Sequence, residues 1–211
     1  MTTTPGSSRP EHRSRLPRLV PDRMEEEQRT LYRTITGGPR ASGPSLFRIA
    51  DDDGALLGPF GVMLHAPRIG TALQQVGLEI RYHSQFSDRA REIAILAVGA
   101  HWNSAYEAYA HEAVGRACGL TEPELEALAD GRDPEFTDPV EDATWRLTIA
   151  MLAGDVDDET WARCVPPFTV AQVVELSTLV GYYATLALQM RVLRSDVVPM
   201  DPTSLGDVTS E

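Results

Sequence analysis

Between Asp22 and Leu193 the apolar residues recur at the 3.6-residue spacing of a helix, while the strict alternation of a half-buried strand is scarce. A chain patterned in this way folds as an all-α helical bundle. Its breaks coincide with helix-stopping and helix-starting residues. A helix over Asp22–Thr36 is expected to stop at Gly37-Gly38-Pro39, followed by a long loop over residues 39–58. Gly58-Pro59-Phe60 opens a short helix and Pro67 a longer one to Tyr82. Ser87-Asp88 caps the next, which bends near Trp102-Asn103 and resumes to Ala117. Thr121-Glu122-Pro123-Glu124 is a capping box, with proline tolerated in the first turn. Further helices begin at Asp138-Pro139, at Asp157 and at Thr169, the last running to Leu193 and apolar on most sides, which predicts a central position. About eight helices result. They form one domain over residues 21–198, between a flexible basic arm (1–20), poorly ordered unless docked, and a flexible acidic tail (199–211).

Charge and composition remove whole classes of function. The net charge of −12 repels nucleic acid, whose binding requires neutralised phosphates. Lysine is absent, which excludes Schiff-base chemistry on a lysine side chain. No apolar run approaches the roughly 20 residues of a membrane span, and the first residues lack the apolar core of a signal peptide, so a cytoplasmic protein with no membrane partner is expected. The two cysteines, Cys118 and Cys164, belong to no Cys-x-x-Cys or zinc spacing. Both read as small buried hydrophobes. The acidic run Asp51-Asp52-Asp53-Gly54 lacks calcium-loop spacing and reads as a turn.

Ionisable side chains concentrate in Arg91-Glu92 and in the run His101-Trp102-Asn103-Ser104-Ala105-Tyr106-Glu107-Ala108-Tyr109-Ala110-His111. Helical spacing puts Ser104, Glu107 and His111 on one face, with Glu107 one turn before His111. A carboxylate beside an imidazole favours its charged form and fixes its tautomer, which suits proton transfer. Glu92 sits on an apolar helix, where a carboxylate must be paired or protonated. Ser104 as a nucleophile served by His111 would have to reach across two turns, about 10 Å of rise, and no nucleophile elbow is present. Histidines at ligand spacing are too few for a metal site. The candidate catalytic residues are therefore His111, Glu107 and Glu92, with Tyr106, Asn103, Ser104 and Trp102 as candidate substrate-binding residues and no metal or other cofactor.

The stretch Arg91-Glu92-Ile93-Ala94-Ile95-Leu96, Tyr106-Glu107, His111, Cys118-Gly119-Leu120-Thr121 and Glu126-Ala127-Leu128 resembles the carboxymuconolactone decarboxylase family, whose superfamily also holds the alkylhydroperoxidase D peroxidases. The similarity extends to Gly54–Phe60 and to Val180-Gly181-Tyr182-Tyr183, covering roughly residues 20–195. It implies an alkylhydroperoxidase D-like helical bundle assembled as a homo-oligomer (dimer, trimer or hexamer) with sites near subunit contacts. The peroxidase signature is Cys-x-x-Cys-x-x-x-His with a glutamate twelve residues before the first cysteine. Here Ser104 and Glu107 stand at the cysteine positions, while Glu92 and His111 keep theirs.

Peroxide reduction requires an attacking thiolate and a resolving thiol, which serine and glutamate cannot replace. The decarboxylase branch is similar in using acid–base groups without an organic cofactor. The expected function is cofactor-free acid–base chemistry, of decarboxylase, lyase or isomerase type, on a small unsaturated lactone or carbonyl compound. In that scheme His111 is the general acid/base, oriented by Glu107, with Glu92 as a second proton carrier. A thiol-dependent peroxidase-like protein and a non-catalytic helical oligomer are the alternatives. An anionic diacid substrate would call for arginine, and Arg89, Arg91 and Arg116 are the nearest candidates along the chain.

Overall fold

The computed structural model describes residues 14–38 and 46–197. Nine α-helices lie among these residues, one more than the expected number, because the bend expected near Trp102-Asn103 is a full break that separates two helices. They are α1 (Glu26–Thr36), α2 (Gly58–Met63), α3 (Pro67–Tyr82), α4 (Asp88–Trp102), α5 (Ala105–Ala117), α6 (Glu122–Ala129), α7 (Pro139–Ala153), α8 (Asp158–Cys164) and α9 (Val170–Leu193). No strand occurs among the described residues; the Ala50–Leu56 bridge is isolated. None of the described helices is long and apolar enough to cross a membrane.

Helix ends follow the local chemistry closely. Thr121 with Glu124 and Thr169 with Gln172 form reciprocal capping boxes, and Ser87, Asp138 and Asp157 accept backbone N–H bonds in the first turns of their helices. The first helix differs from expectation. Pro21–Arg23 is a separate 3₁₀ turn, and α1 starts only at Glu26. The extended Met24, buried in the core, interrupts them, and a Glu25–Gln28 capping box then restarts the chain as α-helix.

The centre of the bundle is α4, buried without interruption from Ala90 to Gly99 and packed against α5, α6, α7 and α9. The expectation that α9 is the central helix is corrected. One side of α9 (Leu176, Leu179, Tyr183, Leu186, Met190) closes the core, while Val170, Val174, Leu188 and Val192 remain exposed. Composition alone could not separate these faces, because α9 is apolar on both. Residues 1–13 and 199–211 of the expected arm and tail lie outside the described residues. The described part of the arm is docked: Arg15 donates to the Val192 and Leu193 carbonyls, and Arg18 pairs with Asp51 and Asp53. Asp51 also accepts from the backbone of Asp53 and Ala55, so the acidic run is the turn its composition suggested.

Two junctions set the geometry of the bundle interior. Asn103 adopts left-handed geometry (φ 49°), and its N–H and that of Ser104 close back on Ala100 and Gly99, so α4 turns into α5 within two residues. At the start of α2, Gly58 has φ +54° and its backbone lies against the Tyr106 ring. A Cβ there would stand 2.4 Å from a ring carbon. Gly58→Ala therefore combines left-handed strain with a clash in the core. It is expected to lower unfolding free energy by about 2 kcal/mol or more, read from the urea midpoint at unchanged slope. An unchanged midpoint would show that α2 can move away from Tyr106.

Candidate active site

Glu92 on α4 and Glu107 and His111 on α5 meet inside the bundle, each at most 5% exposed. The short α4–α5 corner brings them together, since it folds the Glu92 turn of one helix against the His111 turn of the next. His111 Nδ1 lies 2.6 Å from Glu92 Oε2, and His111 Nε2 lies 3.4 Å from Glu107 Oε2. The stronger contact is thus the one between helices. With Nδ1–H donating to Glu92, Nε2 points at Glu107. Tyr183 presses edge-on against the imidazole, ring centroids 5.2 Å apart, and limits its rotation.

Burial pushes the Glu107 carboxyl up to about 7, and the charges of Asp196 and Glu92 add to it against the opposing pull of His111. Its Oε1 has no hydrogen-bond partner among the described residues, and neither has Glu92 Oε1. Arg91 approaches Glu92 Oε1 at 3.6 Å and Arg81 at 3.9 Å, so the buried carboxylate has cationic neighbours without a tight bond to either. The two carboxyl groups sit on opposite edges of one ring and cannot chelate an ion together with a single histidine nitrogen. Among the described residues no three His, Cys, Asp or Glu side chains form a group able to hold a metal ion.

A cavity of about 30 Å³ opens beside Glu107 and His111, walled by Tyr106, Phe60, Tyr182 and Tyr183 and reached by Arg81 and Phe47. It has room for roughly one or two water molecules. Tyr106 lines it while its hydroxyl donates to the Arg48 carbonyl. The remaining sequence candidates stand elsewhere. Ser104 is the N-cap of α5 in extended geometry, not a member of the Glu107–His111 face, and its hydroxyl donates to Asp196. Asn103 forms the corner. The Trp102 ring packs against the main core, and its carbonyl accepts from Arg191.

The arginines sort differently from their order along the chain. Arg89 is held by Glu124 and Glu141, Arg116 by Glu112 and Glu122, and Arg91 by Asp88. Arg81, from α3, is the arginine that lines the cavity. Neither Arg81 nor Asp196 stood out in the sequence, because both reach the site through packing of distant segments. Position on the Gln74–Gly77–Ile80 buried side of α3 is the one signal that pointed Arg81 inward. Cys118 caps the end of α5 only partly buried, not in the core as expected, with its thiol pushed up by burial and by Glu92 and Asp88, which is the opposite of an activated nucleophile; Cys164 is in the core.

Glu107 also links stability to pH. Below its ordinary 4.5 the carboxyl is protonated folded and unfolded; between 4.5 and about 7 only the unfolded chain ionises. Stability should therefore fall as pH rises through this window, by about 3 kcal/mol in all from this group. Glu107→Gln is expected to flatten that fall, gaining on the parent protein in urea titrations as pH increases. Parallel stability curves would contradict the raised value.

Comparison with known proteins locates the fold. No family model matches the chain, and no curated protein matches it. The chain is similar to a crystal structure from Ralstonia eutropha described as an alkylhydroperoxidase AhpD core, an uncharacterized peroxidase-related protein. The TM-score is 0.66 at 13% identity, over 86% of this chain and 90% of that one. The chain has the alkylhydroperoxidase D-like all-α fold.

Proposed function

We propose that the protein is a cofactor-free acid–base enzyme of decarboxylase, lyase or isomerase type, acting on a small unsaturated lactone or carbonyl compound. The observation that carries this is the buried Glu92–His111–Glu107 chain at the wall of a cavity that Arg81 also reaches. A group poised near neutral pH serves both as proton donor and as acceptor. Glu107 has that character, and Glu92 holds the imidazole orientation. These roles differ from those expected from sequence, where His111 was the general acid/base, Glu107 its orienting group and Glu92 a second proton carrier.

In the decarboxylase form, the carbon–carboxylate bond breaks, CO₂ leaves, and the bonding electron pair enters the conjugated carbonyl as a dienolate. Glu107 then delivers its proton to that carbon, and the carboxylate left behind takes up a proton from solvent before the next turnover. In the isomerase form the same group removes a proton from one carbon and returns it to another. Arg81 stands where it can hold a substrate carboxylate or a developing enolate oxygen. A substrate larger than the cavity must displace wall side chains, and Phe47 is the one carried on a loop.

The peroxidase-related description of the structural neighbour favours the thiol alternative, but the placement of Cys118 and Cys164 argues against it. Assembly as a homo-oligomer belongs to the same proposal. The exposed apolar residues of α9 support a second copy packing there.

The test is turnover of a panel of unsaturated lactone acids and enoates, followed by ultraviolet absorbance and by deuterium incorporation from D₂O. His111→Ala and Glu107→Gln are each expected to lower kcat/KM by about 100-fold or more. Turnover at parent rates in both variants would overturn the proposal. Peroxide consumption abolished by Cys118→Ser would establish the thiol alternative instead.

A further inference from the structure

The start of α5 is capped differently from the helices with a comparable sequence. Ser104-Ala105-Tyr106-Glu107 has the Ser-x-x-Glu pattern of a capping box. In the boxes at Glu25–Gln28, Thr121–Glu124 and Thr169–Gln172 the fourth residue reaches back to the N-cap N–H. Glu107 does not. The Ser104 N–H is bonded to the Gly99 carbonyl at 2.9 Å, so the place where the Glu107 carboxylate would dock is taken.

The remaining donors of that first turn are also committed. Asp196, just beyond the end of α9, accepts from the Ala105 N–H at 3.0 Å, from the Tyr106 N–H at 2.7 Å and from the Ser104 hydroxyl at 3.2 Å. The Glu107 N–H meets Ser104 Oγ at 3.5 Å and the Ala108 N–H the Ser104 carbonyl at 3.1 Å. A glutamate in a first helical turn is ordinarily drawn into its charged form by free N–H groups and the positive end of the helix dipole. Here a carboxylate from another segment occupies that end first.

We infer that Asp196 is a positioning residue: with the Ser104 N–H already held by Gly99, it takes the Ala105 and Tyr106 N–H groups that remain free at the start of α5 and so leaves the Glu107 side chain turned toward His111. This deepens the acid–base reading, in which Glu107 is the proton donor. The charged groups facing Glu107 are His111 on its own helix, Glu92 on α4, Arg81 from α3 across the cavity, and Asp196; α9 contributes the Tyr182 and Tyr183 phenols and α2 only Pro59 and Phe60. The direction of the Asp196 influence on Glu107 agrees, since its negative charge disfavours a second one nearby.

The experiment is a carbon-13 NMR titration of glutamate side-chain carboxyls in the full-length protein, with Glu107 assigned by its loss in Glu107→Gln. In Asp196→Asn, which still accepts from N–H groups but carries no charge, Glu107 is expected to titrate about one pH unit lower. Asp196→Glu should stay near the parent. Unchanged titration in Asp196→Asn, or an equal fall in both variants, would overturn the role. Should Asp196→Asn not fold, Asp196→Ser is read by the same criteria. No substrate is needed, so failure here and failure of the proposed reaction are distinguishable.

Discussion

Three ionisable side chains share a volume from which water is largely excluded, and the interior of this bundle is arranged around that fact. Glu92 is fully buried, yet an isolated charge in such a place is strongly unfavourable. What makes the cluster tenable is the short His111–Glu92 contact, with Arg91 and Arg81 within 4 Å of the other Glu92 oxygen. Breaking a buried pair by removing one partner is far more damaging than its net contribution to folding implies. The cluster therefore adds little stability for its size. Retaining it in the most buried helix of the fold is the physical reason to look there for chemistry.

The two buried carboxyl groups differ in their surroundings. Glu92 faces a ring nitrogen and two guanidinium groups, whereas Glu107 faces a longer contact on the opposite ring edge and a second negative charge at the start of its helix. Two acids of ordinary chemistry thus acquire different environments, as the proposed division into an orienting group and a proton carrier requires. Tyr183 against the imidazole and Tyr106 along the cavity wall restrict the space beside the ring, so the three ionisable groups are held by packed helices and not by loops.

The fold was highly legible because capping chemistry is local. Thr121, Asp138, Asp157 and Thr169 each began a helix, and the bend at Trp102-Asn103 is the left-handed corner that joins α4 to α5. Proximity of Glu107 to His111 followed from helical spacing alone. The tighter partnership of His111 with Glu92 did not, since the angle between two helices sets it. Ser104 failed for the converse reason: spacing placed it on the His111 face, but the N-cap position turned its hydroxyl toward Asp196. Arg81 and Asp196 were invisible because each arrives from a segment remote in the chain, carried by side-chain packing that no periodicity encodes. The apolar exterior of α9 misled for a simpler reason, because hydropathy does not distinguish a face covered within the chain from one left exposed.

The central claim is that Glu92 fixes the imidazole with Nδ1 protonated and Nε2 turned to the reacting edge. Nitrogen-15 chemical shifts of a selectively labelled His111 ring test it most directly. A protonated, hydrogen-bonded Nδ1 at neutral pH, reverting toward the mixed tautomers of free imidazole in Glu92→Gln, is the predicted result. A bare Nδ1 with the proton resting on Nε2 would contradict the account.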